Sequence, residues 1–128
     1  MSLILTSNNA DATFYLKDRA FTKYNTFNLC SITIKHVEVR QKVDFICYIH
    51  CTLVAKDDNF FNTRRSDIIG VVPLFFNNAK RYFHHKFPNI KRNMRTKDFN
   101  SIRISLRDGH GQLLDNIIEH VVYELEFF

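Results

Sequence analysis

The sequence has no tryptophan, only three glycines and two prolines, and few cysteines. So little glycine and proline excludes a collagen-like repeat and argues against a disordered chain. A membrane-spanning helix needs roughly 18–20 consecutive apolar residues, and no run approaches that length, so no membrane partner is expected. The opening MSLILTSNN has no basic n-region, and its apolar stretch is only Leu3, Ile4 and Leu5. Secretion through a signal peptide is therefore not expected. The three cysteines, Cys30, Cys47 and Cys51, are odd in number and fit no spaced framework. On one strand Cys47 and Cys51 would lie roughly 13 Å apart, at about 3.3 Å per residue. A disulfide needs Cα atoms within about 7 Å. Reduced, buried thiols are expected, in a protein that stays inside the cell or is packaged into a particle assembled there.

What is present is a core. Apolar residues make up 45% of the 128, with thirteen Phe and five Tyr. Residues 1–128 are expected to form one domain, because this is the commonest domain size. Ile102, Ile104 and Leu106 alternate with Arg103, Ser105 and Arg107, a period of two that marks a strand. Asp108, Gly109, His110 and Gly111 then supply turn chemistry. Val121, Tyr123, Leu125 and Phe127 alternate again. The turn makes Ile102–Leu106 and Val121–Phe127 candidates for pairing, although the stretch from Gln112 to His120 is too long for a tight hairpin.

Ser2–Thr6 and Thr13–Leu16 read as short strands. From Phe27 to Val39 the parity changes: Ile32 and Ile34 share one face, Val37 and Val39 the other. A bulge or break is expected near Lys35–His36. Val43–Ala55 is the strongest strand, apolar on both faces, and is expected to be central and covered on both sides. Lys56–Arg65 is a charged loop in which Phe60 and Phe61 can act as plugs. Ile68–Phe76 contains Pro73, which favours an edge strand or strand end. Asn77–Phe87 is expected to form one short helix, capped by Asn77 or Asn78 and ended by Pro88. The fold class expected is all-β with one short helix at most, a single β-sandwich of seven or eight strands, jelly-roll-like.

Charge is the most asymmetric feature. Lys80, Arg81, Lys86, Lys91, Arg92, Arg95 and Lys97 fall in one segment without a carboxylate. The rest of the chain has eleven cations against thirteen carboxylates, so the net charge of +5 comes from that segment. Tyr82, Phe83 and Phe87 interleave with it, as phosphate contact and base stacking require. The competing reading is a solvated basic loop, or one facing an acidic neighbour.

Other motifs carry less. Adjacent His84 and His85 diverge on a strand or a helix, so they do not chelate easily. Cys47, His50 and Cys51 resemble zinc ligands, but on a strand His50 faces away from both thiols and no second ligand pair follows. Gly109-His110-Gly111 is hairpin chemistry rather than a dinucleotide fingerprint. No nucleophile–base pair can be nominated from spacing. Neither catalysis, nor a metal, nor any cofactor is expected.

The stretch FNSIRISLRDGHGQLLD, with the closing VVYELEFF, resembles the C-terminal signature of proteins of Polinton/Maverick-type elements and related small DNA viruses. That signature is an aromatic residue, alternating Ile, an Asp-x-x-Gly turn, and a strand ending in Leu-x-Phe. Phe99, Ile102, Ile104, Asp108, Gly111, Leu125 and Phe127 fit it. Tyr48–Val54 is similar to a Tyr-x-x-Cys-Asp-aliphatic strand of those proteins, with Thr52 in place of Asp. Ile69-Gly70…Pro73-Leu74 and Leu5-Thr6-Ser7-Asn8 resemble two further segments. This chain is much shorter and lacks the family's Trp-Glu-Val-Gly-Leu segment. The resemblance implies a jelly-roll virion or minor capsid protein, with no catalytic residue carried over.

Two functions are thus expected. The first is a viral structural protein, in the virion or the infected-cell interior. It would assemble with itself or a larger capsid protein through sheet and apolar contacts, with Phe60, Phe61, Phe127 and Phe128 as interface residues. Those phenylalanines have an ordinary core reading as well. The second is a non-structural nucleic-acid-binding protein using residues 80–97.

Overall fold

The computed structural model describes residues 1–16, 20–38, 43–54, 67–76, 79–96 and 99–128. The strands are β1 (Ser2–Ser7), β2 (Asp11–Tyr15), β3 (Thr26–His36), β4 (Val43–Cys51), β5 (Ile68–Phe76), β6 (Tyr82–Lys86), β7 (Arg92–Asn93), β8 (Ser101–Arg107) and β9 (Ile118–Phe127). A 3-10 turn, Ala20–Lys23, precedes β3, and no α-helix occurs among the described residues.

The pairing is that of a folded ribbon. β1 pairs with β9, β2 with β8, β3 with β6 and β4 with β5, all antiparallel. Early strands thus pair with late ones, from the ends of the chain inwards. Two further ladders, β3–β9 and β4–β8, roll the ribbon into two sheets. Their orders are β1-β9-β3-β6, with the short β7 added to β3, and β2-β8-β4-β5. This order of eight main strands is that of a jelly roll.

Period-two burial holds the sheets together. Ile102, Ile104 and Leu106 of β8 are wholly buried, as are Val121 and Leu125 of β9. They meet Phe27, Leu29, Ile32 and Ile34 of β3 and Cys47 and Ile49 of β4 in one core. The turn after β8 forms as its residues demand. Asp108 Oδ1 accepts from the His110 and Gln112 amides at 2.8 and 3.0 Å, and Gly111 takes φ 82°. These amides hold the Asp108 carboxyl below its usual range.

Register shifts settle the parity of β3. One lies between Lys35 and His36, where the sequence pattern demands it, and a second between Leu29 and Ser31. The second moves burial from Phe27 and Leu29 to Ile32 and Ile34. Pro73 sits on the edge strand β5, opposite Ile46.

Three expectations are corrected. β8 and β9 do not pair; each is central in a different sheet. In place of the expected helix over Asn77–Phe87, Tyr82–Lys86 form the strand β6, while Asn77 and Asn78 lie outside the described residues. A helix this short is marginal by itself, and aromatic and alternating side chains suit the ladder that β3 offers. β4 is central, but Ile46 on its outer face is 49% exposed, so the strand is not buried on both sides.

Candidate functional site

The described residues of the basic segment do not form one cationic face. β6 alternates, with Tyr82, His84 and Lys86 exposed and Phe83 and His85 half-buried. Register then sets each outward side chain in a row across the first sheet. Lys86 stands opposite Ser31, which stands opposite Glu124, which stands opposite Ile4. Ser31 Oγ donates to Glu124 Oε2 at 3.1 Å. His84 Nδ1 lies 2.7 Å from Thr33 Oγ1. Lys35 pairs with Glu119 at 3.7 Å, and its Nζ stands 5.6 Å from the centre of the Tyr82 ring. This face mixes both signs of charge.

The other cations of the segment meet different fates. Arg81 pairs with Glu119, and its Nε donates to the His36 carbonyl at 3.1 Å. Arg92 is only 4% exposed and donates through Nη2 to the Ile69 carbonyl at 2.9 Å, so it cannot be a surface phosphate contact. Lys91 is exposed and holds its ammonium 4.3 Å from the centre of the Phe128 ring. Lys80 and Arg95 are exposed, and Lys97 lies outside the described residues. Phe83 and Phe87 pack against the core, which leaves Tyr82, 56% exposed, as the one proposed stacking ring well placed for contact.

The proposed assembly residues divide as well. Phe127 is 1% exposed and packs against Phe21 and Phe99, with ring centroids 4.8 and 6.4 Å away. It belongs to the core rather than to a surface, because β9 turns its odd residues inwards. Phe128 is half-buried, and its carbonyl accepts from the Asn25 and Thr26 amides at 2.8 and 3.2 Å. Phe60 and Phe61 lie outside the described residues.

Cys47 and Cys51 are free and buried, and burial pushes both thiols up to about 12. Cys30 is half-buried and raised by burial and by nearby Glu126. Tyr123 points into the same core; burial raises its phenol, and Oη meets no hydrogen-bond partner among the described residues. Among the described residues no group of three or more His, Cys, Asp or Glu side chains is arranged to hold a metal.

The outer face of the second sheet offers what the sequence pattern did not assign. Arg103 grips Asp11 in a bidentate pair, Nε to Oδ1 at 2.8 Å and Nη2 to Oδ2 at 2.6 Å, which holds the Asp11 carboxyl below its usual range. His50 is buried and reaches Asp67 at 3.1 Å. Towards the edge the face turns apolar: Ile46 is 49% and Phe75 59% exposed, with Pro73 between them on β5. The apolar outer parity of β4 was the available signal for this strip, but it reads equally as a buried face.

No protein-family model matches the chain, and no curated protein matches it. Among solved structures it is similar to a chain from the sacbrood virus of honeybee, expansion state I. Identity is 15%, 99% of this chain and 80% of that chain are covered, and the TM-score is 0.29. A score so low bears on neither fold nor function. The fold rests on the strand order of this chain.

Proposed function

We propose that this protein is a structural component of a virion that acts by assembly and catalyses nothing. The observation that carries the proposal is the jelly-roll order β1-β9-β3-β6 over β2-β8-β4-β5. Jelly rolls build viral capsids, although lectins and cupins share the architecture, so fold supports the reading without fixing it. The resemblance along Phe99–Phe127 gives its finer form: a minor capsid protein of a Polinton/Maverick-type element or a related small DNA virus. The contact would be made by a sheet face. Pro73 removes a donor from the edge of β5, which blunts strand addition there. The strip of Ile46, Pro73 and Phe75 presents apolar surface instead, of the kind that marks interaction sites.

The test is whether the protein is found in purified particles, together with its mass in solution at rising concentration. Incorporation or self-association that Ile46→Asp with Phe75→Asp abolishes, while melting stays unchanged, is expected. A monomer at all concentrations that is absent from particles overturns the proposal. The basic segment supports nucleic-acid binding less well, because Arg92 is buried and Arg81 is paired with Glu119. Binding to single-stranded DNA at low salt, falling steeply as salt rises, would restore that reading.

A further inference from the structure

The first sheet ends in the edge strands β1 and β6, the second in β2 and β5. All but β1 carry a residue that hinders pairing with another chain. β5 has Pro73, β2 has Asp11 and β6 has Lys86. β1 has neither a proline nor a charge, and reads Ser2-Leu3-Ile4-Leu5-Thr6-Ser7. Ile4 on it is 65% exposed.

The pairing at the start of β1 fixes which of its main-chain groups are free. Met1 N donates to the Phe127 carbonyl at 3.0 Å, and the Phe127 amide donates to the Met1 carbonyl at 2.8 Å. Met1 and Phe127 thus form a doubly bonded pair, and such pairs recur at every second residue of an antiparallel ladder. The register runs without a shift from Ser2 opposite Glu126 to Ser7 opposite Val121. Leu3, Leu5 and Ser7 therefore turn their amides and carbonyls to β9. Ser2, Ile4 and Thr6 turn theirs outward, where no strand pairs with β1 among the described residues. An open row of donors and acceptors is a template for one more strand.

The sequence of β1 indicates which strand fits. From Ser2 to Thr6, or from Thr6 back to Ser2, the order is hydroxyl, Leu, Ile, Leu, hydroxyl. Two copies related by a two-fold axis at Ile4 would match each residue with its own kind. Ile4 meets Ile4 on the outer face, Leu3 meets Leu5 on the inner face, and Ser2 meets Thr6. Ser2, Ile4 and Thr6 are also the residues with free main-chain groups, so each of their pairs closes with hydrogen bonds in both directions. A slip of two residues would set Ile4 against a hydroxyl instead. Charge allows the match, because the seam itself carries none. Glu124 flanks Ile4 on β9 and would lie about 14 Å from Glu124 of the second copy, at about 4.8 Å per strand. That exceeds the screening length of about 8 Å at physiological salt.

We propose that β1 pairs antiparallel with β1 of a second copy, about a two-fold axis at Ile4. The seam is one short strand long, well under the area of about 1,200 Å² that a stable complex buries, so its dissociation constant is on the order of 1 mM. It involves neither Ile46 nor Phe75 and does not rest on the virion reading.

The test is a dilution series of the ¹⁵N-labelled full chain across that concentration, followed by amide shifts. The Ile4 and Thr6 amides are expected to move downfield along one saturable curve as they gain a hydrogen bond. Those of Leu3 and Leu5, already bonded to β9, should move little. Ile4→Pro removes the donor at the axis without costing a bond to β9, and is expected to weaken pairing at least about tenfold, read at Thr6. Ile4→Asp keeps the donor but sets like charges face to face, with the same expected effect. Should the proline variant fail to fold, the aspartate variant decides. Ile46→Asp with Phe75→Asp is expected to leave the curve unchanged, which separates this seam from the contact of the sheet face. Mass measured at micromolar concentration reads only the latter. No shift with concentration overturns the proposal. So do shifts that both Ile4 variants retain, that the Ile46 and Phe75 variant loses, or that need another protein of the particle.

Discussion

Replacing Phe127 by alanine asks whether the last strand closes the protein's own core or waits for a partner. The side chain is 1% exposed. Among the described residues four aromatic rings surround it: Phe21 at 4.8 Å, Tyr24 at 6.1 Å, Phe27 at 6.2 Å and Phe99 at 6.4 Å between centroids. Truncation of a buried Phe costs about 3–5 kcal/mol, counting lost transfer energy and the cavity left behind. A domain of this size is stable by only about 5–15 kcal/mol, so the variant should lie near the edge of folding. Phe128 is the internal control. Its side chain is half-buried, and its clearest contact is the Lys91 ammonium 4.3 Å from the ring centre. Such a contact is worth about 0.5–1 kcal/mol at an exposed site. Its main-chain bonds to Asn25 and Thr26 survive in alanine. Urea unfolding of the two variants should therefore differ by at least about 2 kcal/mol, with the slope against urea unchanged. A Phe127→Ala cost below about 1 kcal/mol, together with a changed mass in solution, would refute the core assignment.

Three further outcomes follow from particular contacts. Tyr123→Phe removes a buried hydroxyl that has no hydrogen-bond partner among the described residues, and should raise stability by about 1–2 kcal/mol in urea unfolding; a loss would mean that the hydroxyl is satisfied. Arg103 depresses Asp11, so the unfolded chain binds that proton more readily than the folded one, and the stability from the pair is full above the unfolded carboxyl range and lost as pH falls through the folded value. Asp11→Asn should cost about 0.2–1 kcal/mol near neutral pH, nothing in strong acid, and less at high salt; a pH-independent difference would contradict this. Gly70→Ala drives a methyl group into Phe87 and Ile49 and should cost about 1–3 kcal/mol, part of which Phe87→Leu recovers in a double-mutant cycle.

The sandwich was legible because burial in it follows strict alternation. Ile102, Ile104 and Leu106, and Val121 through Phe127, show their inward parity directly. The edge position of β5 was legible from Pro73, and the turn from Asp108 and Gly111. Strand partners were not legible. The turn after β8 suggests a hairpin with β9, but the chain crosses from one sheet to the other between them. Pairing in a roll is nested and long-range, and local periodicity carries no record of it. β6 was misassigned because Asn77–Phe87 has helix-compatible ends, and only β3 beside it decides for the strand. The close approach of Gly70 and Phe87 was invisible for the same reason: the two meet only once the edge strands are in place.

Charge density along the chain is not charge density in space. A strand sends successive side chains to opposite faces, and an edge strand meets the core on one side only. Segment 80–97 therefore disperses where it is described. Arg92 turns inward to Ile69, Arg81 goes to Glu119, Lys91 covers Phe128, and Lys86 joins a row that contains Glu124. A polyanion needs several cations within reach of successive phosphates, and here Arg92 is buried, Arg81 is paired with Glu119 and Lys86 shares its row with Glu124. The second sheet behaves in the opposite way. Ile46 and Pro73 are paired across β4 and β5, and Phe75, whose partner on β4 is Asp44, lies further along the same edge strand, so exposed apolar residues far apart in sequence come together. Contact between protein surfaces is therefore better supported by the geometry than contact with nucleic acid, and Ile46 and Phe75 are the side chains on which that contact should depend.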